Sequence, residues 1–331
     1  MARCRADPAI ERVEVQGFKF PLGSYPVEDM TPVAGFTVDF EPADTDAEDE
    51  QWEAWPDRYV FDVVISADRV EALVRSLMGL FPGRVYPILD VLGQDAFREV
   101  DPYVANELSG MDRVLDALRR YRAFFFEDGL VGFGVMTEEP FLYLFVDEHK
   151  IVTVRVEPAM KERVEKILQA FDLEATESAA GADSACHEHR GVLTVEEGRP
   201  DLLTGEEIVE QLRDDWALVL NIDPEANVDD DGKELGVTAW RALIRVAEEG
   251  DDRCRYVEVV LAAECLREAE DLALDAAESL RPKDVEVWDE SVVVAADRLE
   301  QQAIAEFAQA IGIPPPESPL TVGIIWRGWL E

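Results

Sequence analysis

The sequence predicts an α+β protein of two related domains, each built from a mostly antiparallel sheet with helices packed on one face. Three observations support this fold class. A chain of 331 residues suggests about two domains. Its hydrophobic fraction of 47% is that of a globular protein. A strand–helix–strand pattern also occurs twice along the chain, which is consistent with an internal duplication.

The strand–helix–strand pattern occupies residues 58–92 and again residues 255–295. Each copy opens with Arg-Tyr-Val and a β-rich apolar run, which leads into a helix-like stretch. Pro82 ends the first helix and Pro282 the second, because proline lacks the N–H donor that a continuing helix needs. A second apolar run follows each proline, so each half of the chain is expected to contain a strand, a helix and another strand.

Between the two copies, β-branched and aromatic runs alternate with turn residues, which is typical of an antiparallel meander. The runs cover residues 130–135, 141–146 and 151–156, with a helix over 159–171 after them. A similar meander is expected from the runs at 216–222, 237–246 and 256–262.

The domain boundary is predicted in segment 176–190, which is small, polar and aperiodic, as linkers are. This gives an N-terminal α+β domain over 1–175 and a C-terminal α+β domain over 191–331. Within the first domain, residues 41–57 contain many carboxylates and no Lys or Arg. They are expected to form a solvated acidic loop, because like charges repel.

The formal net charge is −41, from 72 acidic and 31 basic residues. At this hydrophobic fraction the charge predicts a folded protein with an acidic surface rather than disorder. Such a surface disfavours direct nucleic-acid binding and anionic membranes, both of which attract Lys and Arg. It favours a basic protein partner or a bound cation. Adaptation to a high-salt cytoplasm and the codon bias of a GC-rich genome are alternative causes of the composition.

The chain is predicted to be cytoplasmic. Its start has no apolar segment of the kind found in signal peptides, and no run approaches the roughly 20 apolar residues of a spanning helix. The four cysteines show neither a CxxC motif nor a framework spacing. Free thiols in a reducing compartment are therefore expected.

Asn227, Asp229 and Asp231, followed by Gly232, resemble the opening of a calcium-binding loop, in which alternate oxygen ligands precede a glycine. The resemblance ends there, since Thr238 stands where a bidentate glutamate is usual. The sequence leaves two interpretations, a divalent-cation site for Ca²⁺ or Mg²⁺ and an acidic hairpin turn.

Cys186-His187-Glu188-His189 places thiol and imidazole groups close together, and His149 is the other histidine of the chain. A closed zinc site needs about four ligands, and this segment lies in the predicted linker. A solvated linker is therefore the preferred interpretation. The small number of histidines also argues against histidine-based catalysis.

Trp52 and Trp55 lie inside the acidic loop and are candidate partner-binding residues, with packing onto the first domain as the alternative. No nucleophile elbow, P-loop or dinucleotide fingerprint occurs, so the catalytic residues stay unknown. If carboxylates act in catalysis, Asp128 and Asp223 are the first candidates because they stand at equivalent strand ends. Turn capping is the alternative role for both.

Three functions stay open from the sequence. The first is a non-catalytic cytoplasmic protein that binds another protein through its acidic surface, as an inhibitor, adaptor or immunity-like protein does. The second is a metal-dependent hydrolase with Mg²⁺ or Ca²⁺ at a carboxylate site. The third is an unrelated function on a salt-adapted surface. The first is preferred, because the sequence shows no catalytic constellation.

Overall fold

The computed structural model describes residues 3–43, 55–195, 198–199, 201–229, 231–247, 254–282, 285, 287–316 and 318–330. It confirms an α+β protein with mostly antiparallel sheets. The chain divides into two compact units. Unit 1 comprises Met1–Val91 and Pro102–Asn221, and unit 2 comprises Leu92–Asp101 and Ile222–Glu331.

This division differs from the predicted one. The predicted linker, residues 176–190, belongs to unit 1, where His187–His189 pairs as a strand with Ser24–Pro26. Residues 191–221 also belong to unit 1, since Trp216 is buried in its core. Short local pairings of this kind leave no periodic signal, so the segment reads as a linker from composition alone.

The elements of unit 1 follow in chain order. The strands are β1 (Glu14–Val15), β2 (Phe18–Lys19), β3 (Ser24–Pro26), β4 (Gly35–Glu41), β5 (Arg58–Val64), β6 (Arg84–Leu92), β7 (Val100–Ala105), β8 (Ser109–Gly110), β9 (Val131–Thr137), β10 (Leu142–Val146), β11 (Val152–Val156), β12 (His187–His189) and β13 (Leu218–Leu220). The helices are α1 (Ala67–Met78), α2 (Met111–Arg120), α3 (Arg122–Glu127), α4 (Lys161–Ala170) and α5 (Gly205–Trp216), with 3₁₀ turns at Pro158–Met160 and Ala182–Ser184.

The large sheet of unit 1 has the order β13-β7-β6-β9-β10-β11-β5-β4, with β8 paired to β6. Strands β9, β10 and β11 are consecutive antiparallel neighbours, which confirms the first predicted meander. Side chains alternate along β10, so Leu142, Leu144 and Val146 are buried in the core. Each large apolar side chain buried in this way contributes about 1.5–3 kcal/mol to folding.

Two small pairings complete unit 1. Strands β1 and β2 form a hairpin, and β12 pairs antiparallel with β3, with His187 opposite Pro26 and His189 opposite Ser24. The histidine segment, residues 174–195, contains β12 and is held along its length by β-bridges between Phe36 and Ala175, Val33 and Ala180, and Ala6 and Leu193. These bridges hold the segment that contains β12 in its position in unit 1.

Unit 2 contains β14 (Thr238–Ala247), β15 (Arg255–Ala263), α6 (Leu266–Ser279), β16 (Glu290–Leu299), α7 (Gln301–Ile311) and β17 (Gly323–Trp329). Its sheet has the order β16-β14-β15-β17, and all neighbours are antiparallel. The predicted strand–helix–strand order therefore occurs in both units, as β5–α1–β6 and as β15–α6–β16. Three strands separate β5 from β6, but only β14 separates β15 from β16. An internal duplication stays a prediction.

A buried ion pair organises the interior of unit 2. Arg298 donates to both carboxylate oxygens of Asp95 from Nε at 3.0 Å, and its Nη1 donates to Asn227 Oδ1 at 3.1 Å. Asp297 neighbours this pair on β16. Burial, together with the charges of Asp101 and Asp95, raises the pKa of Asp297 to about 6. The carboxylate of Asp297 is therefore held in a position that penalises its charged form.

We expect Asp297→Asn to stabilise unit 2 at neutral pH by up to about 3 kcal/mol, because the neutral amide carries no charge to desolvate. The folded-state pKa lies above the unfolded one, so the native wild type takes up a proton and gains stability as the pH falls through about 6. The unfolding free energy gained through Asp297→Asn should thus be about half as large near pH 5 as at neutral pH.

Urea unfolding of the wild type and variant at both pH values measures this difference. Asp271→Asn, at an exposed position on α6, is the matched control and should change stability by less than about 0.5 kcal/mol. An equal gain at both pH values would contradict the assignment of the shift to Asp297.

Candidate metal centre

The three histidines of the chain meet at one place in unit 1. His149 comes from the turn between β10 and β11, and His187 and His189 come from β12. Their ring centroids are 4.7, 4.7 and 4.9 Å apart, and the ring planes are nearly perpendicular, at 74–81°. One nitrogen from each ring lies within 4.8 Å of the others. The arrangement is a near-symmetric triangle of imidazoles, called here the histidine cluster.

The pleat of β12 decides which side chains of this strand enter the histidine cluster. Alternate residues of a strand point to opposite faces, so His187 and His189 share one face. Glu188 lies on the other face, where its carboxylate accepts a hydrogen bond of 2.7 Å from Tyr25 Oη. Cys186 is exposed, and its backbone N–H donates to Glu28 Oε1. The thiol and the imidazoles that are adjacent in sequence thus have different surroundings.

The turn after β10 fixes the orientation of His149. Asp147 Oδ1 accepts a hydrogen bond from the backbone N–H of Ile151 at 2.7 Å, and Asp147 Oδ2 accepts one from His149 Nδ1 at 3.2 Å. Lys150 adopts a positive φ of 65° and donates from Nζ to the carbonyl oxygen of Val131 at 2.6 Å. One carboxylate therefore holds both the turn and the ring of its histidine.

Two glycines bring the histidine segment to this turn. A Cβ on Gly129 would overlap the carbonyl oxygen of Gly23, and a Cβ on Gly23 would overlap the backbone nitrogen of Gly129. The backbone of Arg190 bonds to both residues: its N–H donates to Gly23 O at 2.8 Å, and its carbonyl accepts from Gly129 N–H at 3.1 Å. Only glycine permits this approach, which places His189 Nδ1 at 2.8 Å from Gly129 O.

Hydrogen bonding settles which nitrogen of each ring is free. Nδ1 of His187 lies 2.8 Å from Ala185 O, and the Nδ1 atoms of His149 and His189 lie beside Asp147 and Gly129 O. All three partners are oxygen acceptors, so each Nδ1 carries the hydrogen and donates it. Each neutral ring then presents the lone pair of Nε2. This pattern of outer partners is the one that orients histidines as metal ligands.

The distance between two of these free nitrogens indicates a cation. His149 Nε2 and His187 Nε2 are 3.0 Å apart. Two lone pairs at this distance repel unless a proton or a metal ion lies between them. Tetrahedral zinc with metal–nitrogen bonds of about 2.0–2.1 Å places its ligand nitrogens about 3.3 Å apart. The spacing of this pair of nitrogens is thus close to that of two ligands of one zinc ion.

Electrostatics around the histidine cluster also favour a cation. Burial lowers the pKa of His149, but its hydrogen bond to Asp147 and the charges of Asp147, Glu148 and Asp183 outweigh it, so the net shift is upward. Burial lowers the pKa of His189, which favours the neutral, ligating form. The carboxylates that stabilise a positive ring at His149 would equally stabilise a bound metal ion.

The predicted calcium residues lie in unit 2 and have other partners. Asn227 is buried, donates to Gly236 O and Thr238 Oγ1, and accepts from Arg298 Nη1. Asp229 Oδ1 accepts backbone N–H groups of Asp231 and Lys233 at 3.1 and 2.9 Å. The side chain of Asn227 makes hydrogen bonds in the interior of unit 2, whereas Asp229 closes a hairpin turn. The divalent-cation site at Asn227, Asp229 and Asp231 stays a prediction, and this geometry matches its acidic-turn alternative.

The tryptophan candidates have separate outcomes. Trp52 lies outside the described residues. Trp55 is half-buried and packs near Phe141 and Tyr143, with ring centroids 5.3 and 5.7 Å away, while the guanidinium groups of Arg58 and Arg155 each lie 5.0 Å from its ring. The ring of Trp55 therefore already contacts other side chains of unit 1. A partner-binding role for Trp55 stays a prediction.

The carboxylate candidates both hold backbone groups. Asp128 is buried in unit 1, where its oxygens accept N–H groups of Leu130 and Val192 at 3.0 and 2.9 Å. Burial raises the pKa of Asp128. Asp223 is exposed in unit 2 and accepts the N–H of Glu225 at 3.0 Å. Asp128 also anchors the histidine segment through Val192.

The HEH motif of residues 187–189 is visible in the sequence, but the small, polar residues around it predict a linker. The alternation of His187 and His189 was the available signal, because residues two apart share a face when they form a strand. His149 is 38 residues away from His187, and no local pattern connects them. The convergence depends on the pairing of β12 with β3 and on the glycine contact.

Comparison with known proteins gives no assignment: no protein-family model, curated protein or solved structure matches this chain. In the part of the chain that the structure describes, no helix combines the length and apolar character that crossing a membrane requires.

We expect Gly129→Ala to lower the stability of unit 1 by more than about 2 kcal/mol, because the new methyl group overlaps the backbone of Gly23. Gly191→Ala is the matched control from the same region. Its Cβ would lie 3.4 Å from Leu130 Cδ1, which is ordinary contact, so it should change stability little. Chemical denaturation of both variants tests this, and equal stability of the two would contradict the proposed role of Gly129.

Proposed function

We propose that unit 1 binds a divalent transition-metal ion, with zinc as the best-fitting ion, through Nε2 of His149, His187 and His189. The observation that supports this most directly is the convergence of the three rings with every Nδ1 turned to an oxygen acceptor. Such a pattern leaves three lone pairs directed away from protein donors. Metal coordination is the chemistry that uses them.

The ligand type favours zinc and other transition metals over the hard cations predicted for the loop at Asn227, Asp229 and Asp231. Imidazole nitrogen suits Zn, Cu, Ni and Fe, whereas Ca²⁺ and Mg²⁺ require oxygen ligands. The carboxylates of Asp147 and Glu148 lie on the Nδ1 side of His149, at 3.2 and 3.5 Å from that nitrogen. In this proposal they orient and charge-balance the site rather than bind the ion.

Metal binding at the histidine cluster would also hold the histidine segment in place. The ion would join the turn at His149 to β12, in addition to the strand pairing with β3, the isolated bridges and the backbone bonds of Arg190. Because the unfolded chain does not preform this site, binding energy would add to folding energy. The protein-binding function predicted from the acidic surface, with a basic protein as partner, stays a prediction beside this one.

Titration of the metal-free protein with zinc, followed by calorimetry, tests the proposal. We expect a single saturable site, which His187→Ala should weaken by at least about 100-fold, because it removes a direct ligand. Zinc at about 100 times its dissociation constant should add about 2.7 kcal/mol to the free energy of unfolding.

Two control variants separate this site from the other acids and thiols. Cys186→Ser changes the exposed residue that precedes β12, and the Asp229→Asn/Asp231→Asn pair removes the predicted calcium-loop acids. Both should retain wild-type zinc affinity. Equal zinc affinity of the wild type and His187→Ala would disprove the proposed site.

A further inference from the structure

We infer that the metal held by the histidine cluster keeps one open coordination position, and that hydroxide bound there hydrolyses uncharged acyl esters. This inference rests on the metal-binding function proposed above. It adds a reaction and a substrate class to that function.

The number of protein ligands supports the open position. Structural zinc sites are closed by four protein ligands, whereas catalytic sites have three and leave the fourth position to water. Among the described residues, the group of possible ligands that contains all three histidines has no fourth member. Asp147 and Glu148 contact Nδ1 of His149, and Cys186 lies outside the cluster. All three histidines are half-buried rather than fully buried.

The charge of the ligands supports hydroxide as the fourth group. Three neutral imidazoles leave the full double positive charge on the ion, and such an ion polarises its bound water enough to supply hydroxide near neutral pH. Anionic ligands would reduce this effect. The hydrogen bond from His149 Nδ1 to Asp147 fixes the ring, so that Nε2 stays directed at the ion.

The surroundings indicate which substrates would approach. Carboxylates of Asp147, Glu148 and Asp183 act electrostatically on His149, and the chain as a whole carries a net charge of −41. Anionic substrates are repelled by this field, and uncharged substrates are not. A small, mostly apolar pocket borders His149 and Lys150 and has room for about one water molecule.

The proposed step is hydrolysis by the bound hydroxide. Its oxygen attacks the ester carbonyl carbon, forming a new C–O bond and a tetrahedral intermediate. The C–O bond to the alcohol group then breaks, and that oxygen takes the proton of the former hydroxide. The carboxylate and the alcohol leave, and a water molecule returns to the metal and releases one proton, which restores the hydroxide. One water is consumed for each ester, and no oxidant or reductant is involved.

The test compares two esters on metal-free and zinc-loaded protein. Para-nitrophenyl acetate is the uncharged probe, and the para-nitrophenyl monoester of succinate is its anionic counterpart with the same leaving group. Stoichiometric zinc should raise acetate hydrolysis by the wild type and by Cys186→Ser at least about tenfold over the chelator-treated protein. His187→Ala should show no such increase, and the succinate ester should react several-fold more slowly on the wild type.

The outcomes distinguish this inference from the metal-binding function. Zinc binding by calorimetry without zinc-dependent acetate hydrolysis overturns the inference and leaves the proposed function intact. Equal zinc-dependent rates for the two esters, once corrected for hydrolysis by free zinc, overturn the substrate class. Absence of zinc binding overturns both proposals.

Discussion

The contact between the backbones of Gly23 and Gly129 is the constraint on which the candidate site depends. Neither residue has room for a Cβ, and Arg190 bonds to both. This contact seats the histidine segment beside the end of α3. From there, the pairing of β12 with β3 sets the register that places His187 and His189 on one face. The carbonyl of Gly129 then takes the Nδ1 hydrogen of His189.

The other half of the site belongs to the large sheet. The turn between β10 and β11 carries His149, and Asp147 and Lys150 fix it from within. Its base is packed into the core of unit 1, because Val146 and Val152 are buried on either side of the turn. A three-residue strand is thus positioned against a turn that the core of unit 1 supports. Supporting residues of this kind are what hold a ligand set in a usable geometry.

Some acidic residues of the chain act electrostatically on the histidine cluster. Asp147, Glu148 and Asp183 shift the pKa of His149 upward despite its burial, which shows that their field favours positive charge there. Elsewhere the same residue types serve structure, since Asp128 and Asp223 hold backbone N–H groups and Asp95 pairs with Arg298. Burial penalises the charged form of Asp297, so not every carboxylate of this chain is favourably placed.

The sequence by itself determined the α+β class, the antiparallel meander of β9, β10 and β11, and the strand–helix–strand order in both halves. These features follow from local periodicity and from proline and turn residues, which act over a few positions. The tertiary structure decided the rest. It made residues 176–190 a structured segment rather than a linker, and it placed the side chain of Asn227 in a hydrogen bond with the buried Arg298. It also joined His149 to His187 and His189, because a close glycine contact between distant segments leaves no periodic trace in either of them.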